Sequence, residues 1–155
     1  MRSLVHDSAG LIHLLTSLTA LVLGTIVLFS RKGTRFHKTC GYGYVLSMVI
    51  LNLTAFSIYH LFRGWGPFHY AAVLSSATLM MGFLPAFFRS RNWITWHVAG
   101  MYYSVIGLYA AFVSEVVTRI PGLPFFAMVS LGTAVVMVIG MRVFIRNRKI
   151  WMSYG

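Results

Sequence analysis

Acidic side chains are nearly absent from this sequence, whose 155 residues include only two, Asp7 and Glu115, beside thirteen lysines and arginines. The formal charge of +11 would suit nucleic acid, but the basic residues group by connecting segment and form no groove-facing patch, so we predict no nucleic-acid partner. Cys40 is the only cysteine, which excludes an intramolecular disulfide and any metal or iron–sulfur site built from several cysteines. The sequence also lacks a P-loop, a dinucleotide-binding fingerprint and a nucleophile-elbow motif, so no reaction is indicated by motif.

Apolar residues dominate the chain instead. Hydrophobic residues make up 58% of it and charged residues 10%, a composition typical of integral membrane proteins and not of water-soluble domains. Five continuous apolar runs are each long enough to cross a bilayer as a helix, at about 10–30, 40–62, 69–88, 96–117 and 125–145. The sequence therefore predicts an all-α, polytopic transmembrane bundle of five helices in one integral membrane domain, residues 1–155.

The basic residues predict how the helices are oriented. Ten of the thirteen fall in segments that lie on one side of the membrane if every run crosses it, and Arg2, Arg63 and Arg119 fall on the other. By the positive-inside rule, the N-terminus is predicted outside and the C-terminus in the cytoplasm. The first run begins near Asp7 with no small-residue cleavage site, so we expect a retained anchor rather than a removed signal peptide.

Each of the first four predicted helices carries a polar face. Its residues are spaced three, four or seven apart, which places them on one side of a helix. Ionisable groups within membrane spans normally point into the bundle, so we predict a four-helix, up-and-down core with a polar interior and a fifth helix for packing. The faces contain His6, His13, Ser17 and Gly24 in the first helix, His37, Gly41, Tyr44, Met48, Asn52 and Tyr59 in the second, His69, Ser76 and Met80 in the third, and His97, Met101, Ser104, Ala111 and Glu115 in the fourth.

The histidines on these faces form two predicted layers. His13 and His69 lie toward the outside, whereas His37 and His97 lie toward the cytoplasm. In an up-and-down bundle each pair comes from diagonal helices. This pattern suits two b-type haems, each held by two imidazoles, with Gly41 leaving room for a macrocycle and basic residues beside the propionates. The leading hypothesis is therefore a haem protein that passes electrons from a quinol or small reductant.

Other interpretations remain open. His13, His69 and Glu115 together resemble the three ligands of a catalytic zinc, which would indicate a metal-dependent membrane enzyme or a metal-handling protein. Alternatively, the histidines only hydrogen-bond near helix ends, Glu115 pairs with Arg119, and no cofactor is bound. A small bundle without extramembrane mass also suits a non-catalytic subunit or assembly factor of a larger membrane complex, or a homo-oligomer. Asn52, Met101, Ser104 and Arg119 are supporting residues under the site hypotheses.

Four segments resemble a known family in the same order. They are IHLLTSLTALVLG, KGTRFHKTCGYGYVLSM, NLTAFSIYHLFRGWGPFHYAAVLSSATLMMG and HVAGMYYSVIGLYAAFVSEVVTRIP, and together they span roughly residues 10–121. The family consists of small bacterial multi-pass membrane proteins called domain of unknown function 2306. The matching positions are His13, Lys32, Gly33, His37, Gly41, Asn52, His69, His97, Met101, Glu115, Arg119 and Pro121.

The resemblance implies a polytopic protein of the bacterial inner membrane and supplies a fold but no reaction. Ser17 departs from the pattern, because glycine is expected four residues after the first histidine. His60 matches no position of the pattern and is counted as incidental.

Overall fold

The computed structural model describes residues 8–57, 66–122 and 124–153, and these contain five α-helices. All five are long and apolar enough to cross a membrane. This confirms the predicted all-α fold class and the five spans, while His6, Tyr59 and His60 lie outside the described residues. The helices are α1 (Ser8–Phe29), α2 (Arg35–Ser57), α3 (Pro67–Phe87), α4 (Trp93–Val117) and α5 (Phe125–Met152).

Two helix boundaries differ from those expected. α2 begins at Arg35 and not at residue 40, because the Thr34 hydroxyl accepts the backbone N–H of His37 at 3.2 Å and caps the helix. α5 continues past residue 145 to Met152. Its 28 residues reach about 42 Å, longer than the ~30 Å apolar core of a bilayer. Helical backbone bonds do not require apolar side chains, so the helix outlasts its hydrophobic run.

The chain divides into two compact units, Met1–Met80 and Met81–Gly155. In the first unit α1 packs on α2. Ala20, Gly24 and Val27 are the buried residues of α1. Leu23 lies close to Gly43 of α2, where an added Cβ would be 3.0 Å from Leu23 Cδ1. Small residues on both helices therefore allow the close approach that van der Waals packing in lipid requires.

The predicted polar face of α2 is buried. Tyr44, Met48 and Asn52 are 0%, 1% and 7% exposed, as expected for residues four apart on one side of a helix. Gly41 also lies on this side, and an added Cβ there would have no atom within 4 Å.

In the second unit α4 packs on α5 through small residues. A Cβ added to Gly132 would lie 3.3 Å from Ser114 Oγ, and one added to Gly140 would lie 2.6 Å from Ile106 Cγ2. Thr133 Oγ1 is 3.0 Å from Ser114 Oγ. The predicted role of α5 as a packing helix, with Gly132, Thr133 and Gly140 on its contact face, is confirmed for its contact with α4.

Two of the predicted faces are wrong in part. Met80 is 58% exposed, and the buried residues of α3 within the first unit are His69, Ala72 and Leu79. On α4, Met101 and Ser104 are buried as expected, but Ala111 and Glu115 are exposed. The contact of Ser114 with Gly132 decides which side of the last turns of α4 is covered.

Candidate functional site

His13 of α1 hydrogen-bonds across to α2. Its Nδ1 lies 3.0 Å from Thr54 Oγ1. The Thr54 hydroxyl directs its own hydrogen to the carbonyl oxygens of Ile50 and Leu51, at 3.0 and 2.8 Å. The hydroxyl oxygen is therefore the acceptor, and His13 Nδ1–H is the donor. A neutral imidazole in this tautomer keeps the lone pair on Nε2.

His37, in the first turn of α2, is held in the same way. Its Nδ1 lies 3.0 Å from Ser30 Oγ, just beyond the end of α1. The Ser30 hydroxyl donates to the Val27 carbonyl at 3.2 Å, so it accepts from His37 Nδ1–H. The lone pair of His37 is again on Nε2.

Lys32 closes the end of α1 beside this histidine. Its Nζ donates to the Val27 and Leu28 carbonyl oxygens at 2.8 and 2.7 Å, two of the acceptors that a helix C-terminus leaves without backbone partners. Burial lowers the pKa of the Lys32 ammonium. Lys32 is thus bonded to backbone in this turn, whereas Arg35 and Lys38 are exposed at the same end of α2.

His97 of α4 donates to backbone of α3. Its Nδ1 is 3.0 Å from the Gly82 carbonyl oxygen, which can only accept, so Nδ1 carries the proton and Nε2 the lone pair. This bond depends on the close crossing of Gly82 and Gly100. A Cβ on Gly82 would lie 2.7 Å from the Gly100 carbonyl carbon, and one on Gly100 would lie 2.9 Å from the Met81 carbonyl carbon.

An aromatic and a basic side chain flank His97 toward the α3–α4 turn. The Trp93 ring is centred 6.2 Å from the His97 ring, and the Arg89 guanidinium lies 4.6 Å from the centre of the Trp93 ring. A cation at this distance is attracted to the face of an indole. Arg89, Trp93 and His97 therefore follow one another along a single line from the turn into α4.

His69 of α3 has the opposite arrangement. The Gly66 N–H donates to His69 Nδ1 at 3.0 Å, and the His69 N–H donates to the Gly66 carbonyl at 3.0 Å. This reciprocal pattern is that of a capping box, in which the third helical residue normally is Glu or Gln. Because Nδ1 accepts, the proton of the neutral ring is on Nε2. Ligation through Nε2 would require moving that proton, so the predicted ligand role of His69 remains a prediction.

Replacing His69 by glutamine is expected to preserve the cap, because the glutamine amide oxygen can also accept the Gly66 N–H. His69→Leu, which has no acceptor, is expected to lower the free energy of unfolding by about 1 kcal/mol more than His69→Gln does. Thermal unfolding of both variants in the same detergent measures the difference. Equal losses would contradict the capping role.

Glu115 forms an ion pair at the end of α4. Arg119 Nη2 donates to Glu115 Oε1 at 2.8 Å, and the two side chains are 64% (Arg119) and 50% (Glu115) exposed. Within residues 8–57, 66–122 and 124–153, no three or more His, Cys, Asp or Glu side chains come together as a metal-binding group. The zinc site predicted from His13, His69 and Glu115 stays a prediction without a contact in its favour.

Glu115→Gln is expected to change little. An exposed pair four residues apart on a helix contributes about 0.5 kcal/mol or less, since water screens the charges. The unfolding temperature should therefore stay close to that of the wild type, with Arg119→Gln as the matched control. Loss of a stoichiometric metal on Glu115→Gln, measured by elemental analysis, would contradict the ion-pair assignment and support the zinc hypothesis.

The sequence analysis did not identify the oxygen atoms that hold the histidines. Thr54, Ser30 and Gly82 supply them, and none belongs to the predicted polar faces. Ser30 precedes His37 by seven residues, a weak local signal, whereas Thr54 and Gly82 are far from their histidines in sequence. Only helix packing brings these two to their partners.

Comparison with known proteins gives a family and no reaction. A family model described as "Predicted membrane protein (DUF2306)" matches residues 10–150. The match extends the resemblance seen up to residue 121 through most of α5. No curated protein and no solved structure matches the chain.

Proposed function

Because the chain belongs to the predicted membrane proteins of domain of unknown function 2306, a family description that assigns no reaction, we propose a function from its own residues. The protein is a multi-pass redox protein of the bacterial inner membrane that binds b-type haem and exchanges electrons with quinol. The candidate axial ligands are His13, His37 and His97, with His69 as the further candidate from the sequence.

The observation that carries the proposal is the shared state of three imidazoles. His13, His37 and His97 each donate Nδ1–H to a hydroxyl or carbonyl oxygen. Histidines that bind metal ions typically donate their other ring N–H in this way, which sets the tautomer, orients the ring and makes the ligating nitrogen more basic. Neutral imidazole nitrogen is also a common axial ligand of haem iron.

The surroundings of His37 also fit a macrocycle. Gly41 lies one turn further along α2, where no atom is within 4 Å of an added Cβ. Arg35 and Lys38 are exposed at the start of the same helix, where their cationic groups can bond to propionates. Bound haem would supply reversible one-electron transfer between ferric and ferrous iron. The chain would hold the imidazole rings, exclude water with apolar helices and neutralise the propionates.

Absorption spectroscopy tests the proposal directly. The full-length protein, expressed with added haem precursor and purified in detergent, is expected to show a Soret band and, on reduction with dithionite, an α band. A pyridine adduct then gives the haem stoichiometry. Protein that stays colourless and takes up no added haem would overturn the proposal, and stoichiometric zinc in such protein would favour the His13, His69 and Glu115 hypothesis.

A further inference from the structure

Asn52 is a buried amide near the centre of the apolar run at 40–62. Its side chain is 7% exposed, and no hydrogen bond joins it to any residue that the structure describes. Its sequence neighbours are Leu51 and Leu53. An amide at this depth cannot exchange a missing protein partner for bulk water, so leaving it unbonded opposes folding.

Other polar side chains of α2 are treated differently. Ser47 is 8% exposed and donates to the Gly43 carbonyl at 2.9 Å. Thr54 donates within its own helix and accepts from His13. The hydroxyls of α2 therefore reach backbone oxygens, whereas Asn52 holds a donor and an acceptor available for a molecule from outside the chain.

The position and chemistry of the amide restrict that molecule. It has to reach the middle of a membrane span, so it is lipid-soluble. It has to offer hydrogen-bonding oxygen, and the amide can serve either polarity, since Nδ2–H donates and Oδ1 accepts. Thr54, the partner of His13, lies two residues or about 3 Å further along the same helix, so an imidazole bond lies at nearly the same depth.

We propose that Asn52 binds the head group of a membrane quinone. Nδ2–H donates to a carbonyl oxygen of the oxidised form, and Oδ1 accepts from a hydroxyl of the reduced form. The assignment deepens the proposed redox function and rests on it for the choice of quinone over other lipid-soluble carbonyl compounds.

The experiment uses a short-chain ubiquinone labelled with ¹³C at its carbonyls, titrated into the full-length protein in detergent. A hydrogen bond lowers the carbonyl stretching frequency, so the bound wild-type sample should show a downshifted infrared band. Asn52→Leu, which keeps the size and removes the amide, is expected to lose this band and to weaken binding about tenfold. Ser47→Ala, at a similarly buried position of the same helix, should retain both the band and the affinity.

A second readout separates ligand binding from a role in the fold. If the amide serves a ligand, ligand-free Asn52→Leu should unfold at the same or a higher temperature than the wild type, because an unbonded polar group is removed. A lower unfolding temperature, or an unchanged infrared band, overturns the proposal. Colourless protein that still shows the band dependent on Asn52 would overturn the haem assignment alone, whereas haem-containing protein without that band would overturn only the quinone site.

Discussion

Gly100→Ala is expected to lower the free energy of unfolding by about 3 kcal/mol, the upper end of what overpacking costs. The added methyl group would overlap backbone atoms of Gly82 and lie 2.9 Å from the Met81 carbonyl carbon. Backbone cannot move aside by a change of rotamer, so α3 and α4 would have to separate at this crossing. The separation would also weaken the bond from His97 Nδ1 to the Gly82 carbonyl oxygen. Thermal unfolding in detergent, followed by tryptophan fluorescence, measures the loss.

Gly107→Ala is the matched control for this prediction. Gly107 is in the same helix, and an added Cβ there would have no atom within 4 Å. Alanine is a better helix former than glycine by about 1 kcal/mol, so stability should stay the same or rise slightly. Equal destabilisation by the two substitutions would show that the Gly82–Gly100 contact is not the cause.

His37→Ala and His97→Ala are each expected to abolish the same haem spectral component, because the sequence places both histidines toward the cytoplasm. When two residues act on one cofactor, losing either removes it, so the double variant should be no worse than either single variant. Reduced-minus-oxidised difference spectra of the three variants measure this. His69→Gln is the control for replacing a histidine, since it keeps the capping bond.

Three outcomes would contradict the haem prediction. Unchanged spectra in both single variants would leave His37 and His97 as residues that only hydrogen-bond to Ser30 and Gly82. Additive losses would show that they act on separate cofactors. Loss of spectrum in His69→Gln would restore His69 as a ligand and show that its proton shifts to Nδ1.

Much of the fold was predictable, because membrane insertion depends on local sequence. A run of about 20 apolar residues can satisfy its backbone only as a helix in lipid, whatever its neighbours are. All five helices were predicted for that reason. Cap residues were also readable, since Thr34 and Pro67 act within one turn of the helix starts that they mark. The burial of Tyr44, Met48 and Asn52 followed from their spacing of four.

The candidate site was less predictable, because helical spacing gives the side of a helix but not what covers it. His97 and Glu115 are separated by five full turns and share a side, yet His97 bonds to α3 while Glu115 is exposed and bonds to Arg119. The last turns of α4 are covered where Ser114 meets Gly132, a contact between residues 18 apart in sequence.

The sequence alone determined the membrane location, the five helices and the histidines as the residues to examine, since hydropathy and residue type are local properties. Tertiary structure decided the tautomers, and with them which histidines present a lone pair at Nε2. His13 and His97 donate to Thr54 and Gly82, whereas His69 accepts from Gly66. An imidazole nitrogen becomes donor or acceptor according to the atom facing it, and for His13 and His97 helix packing alone places that atom.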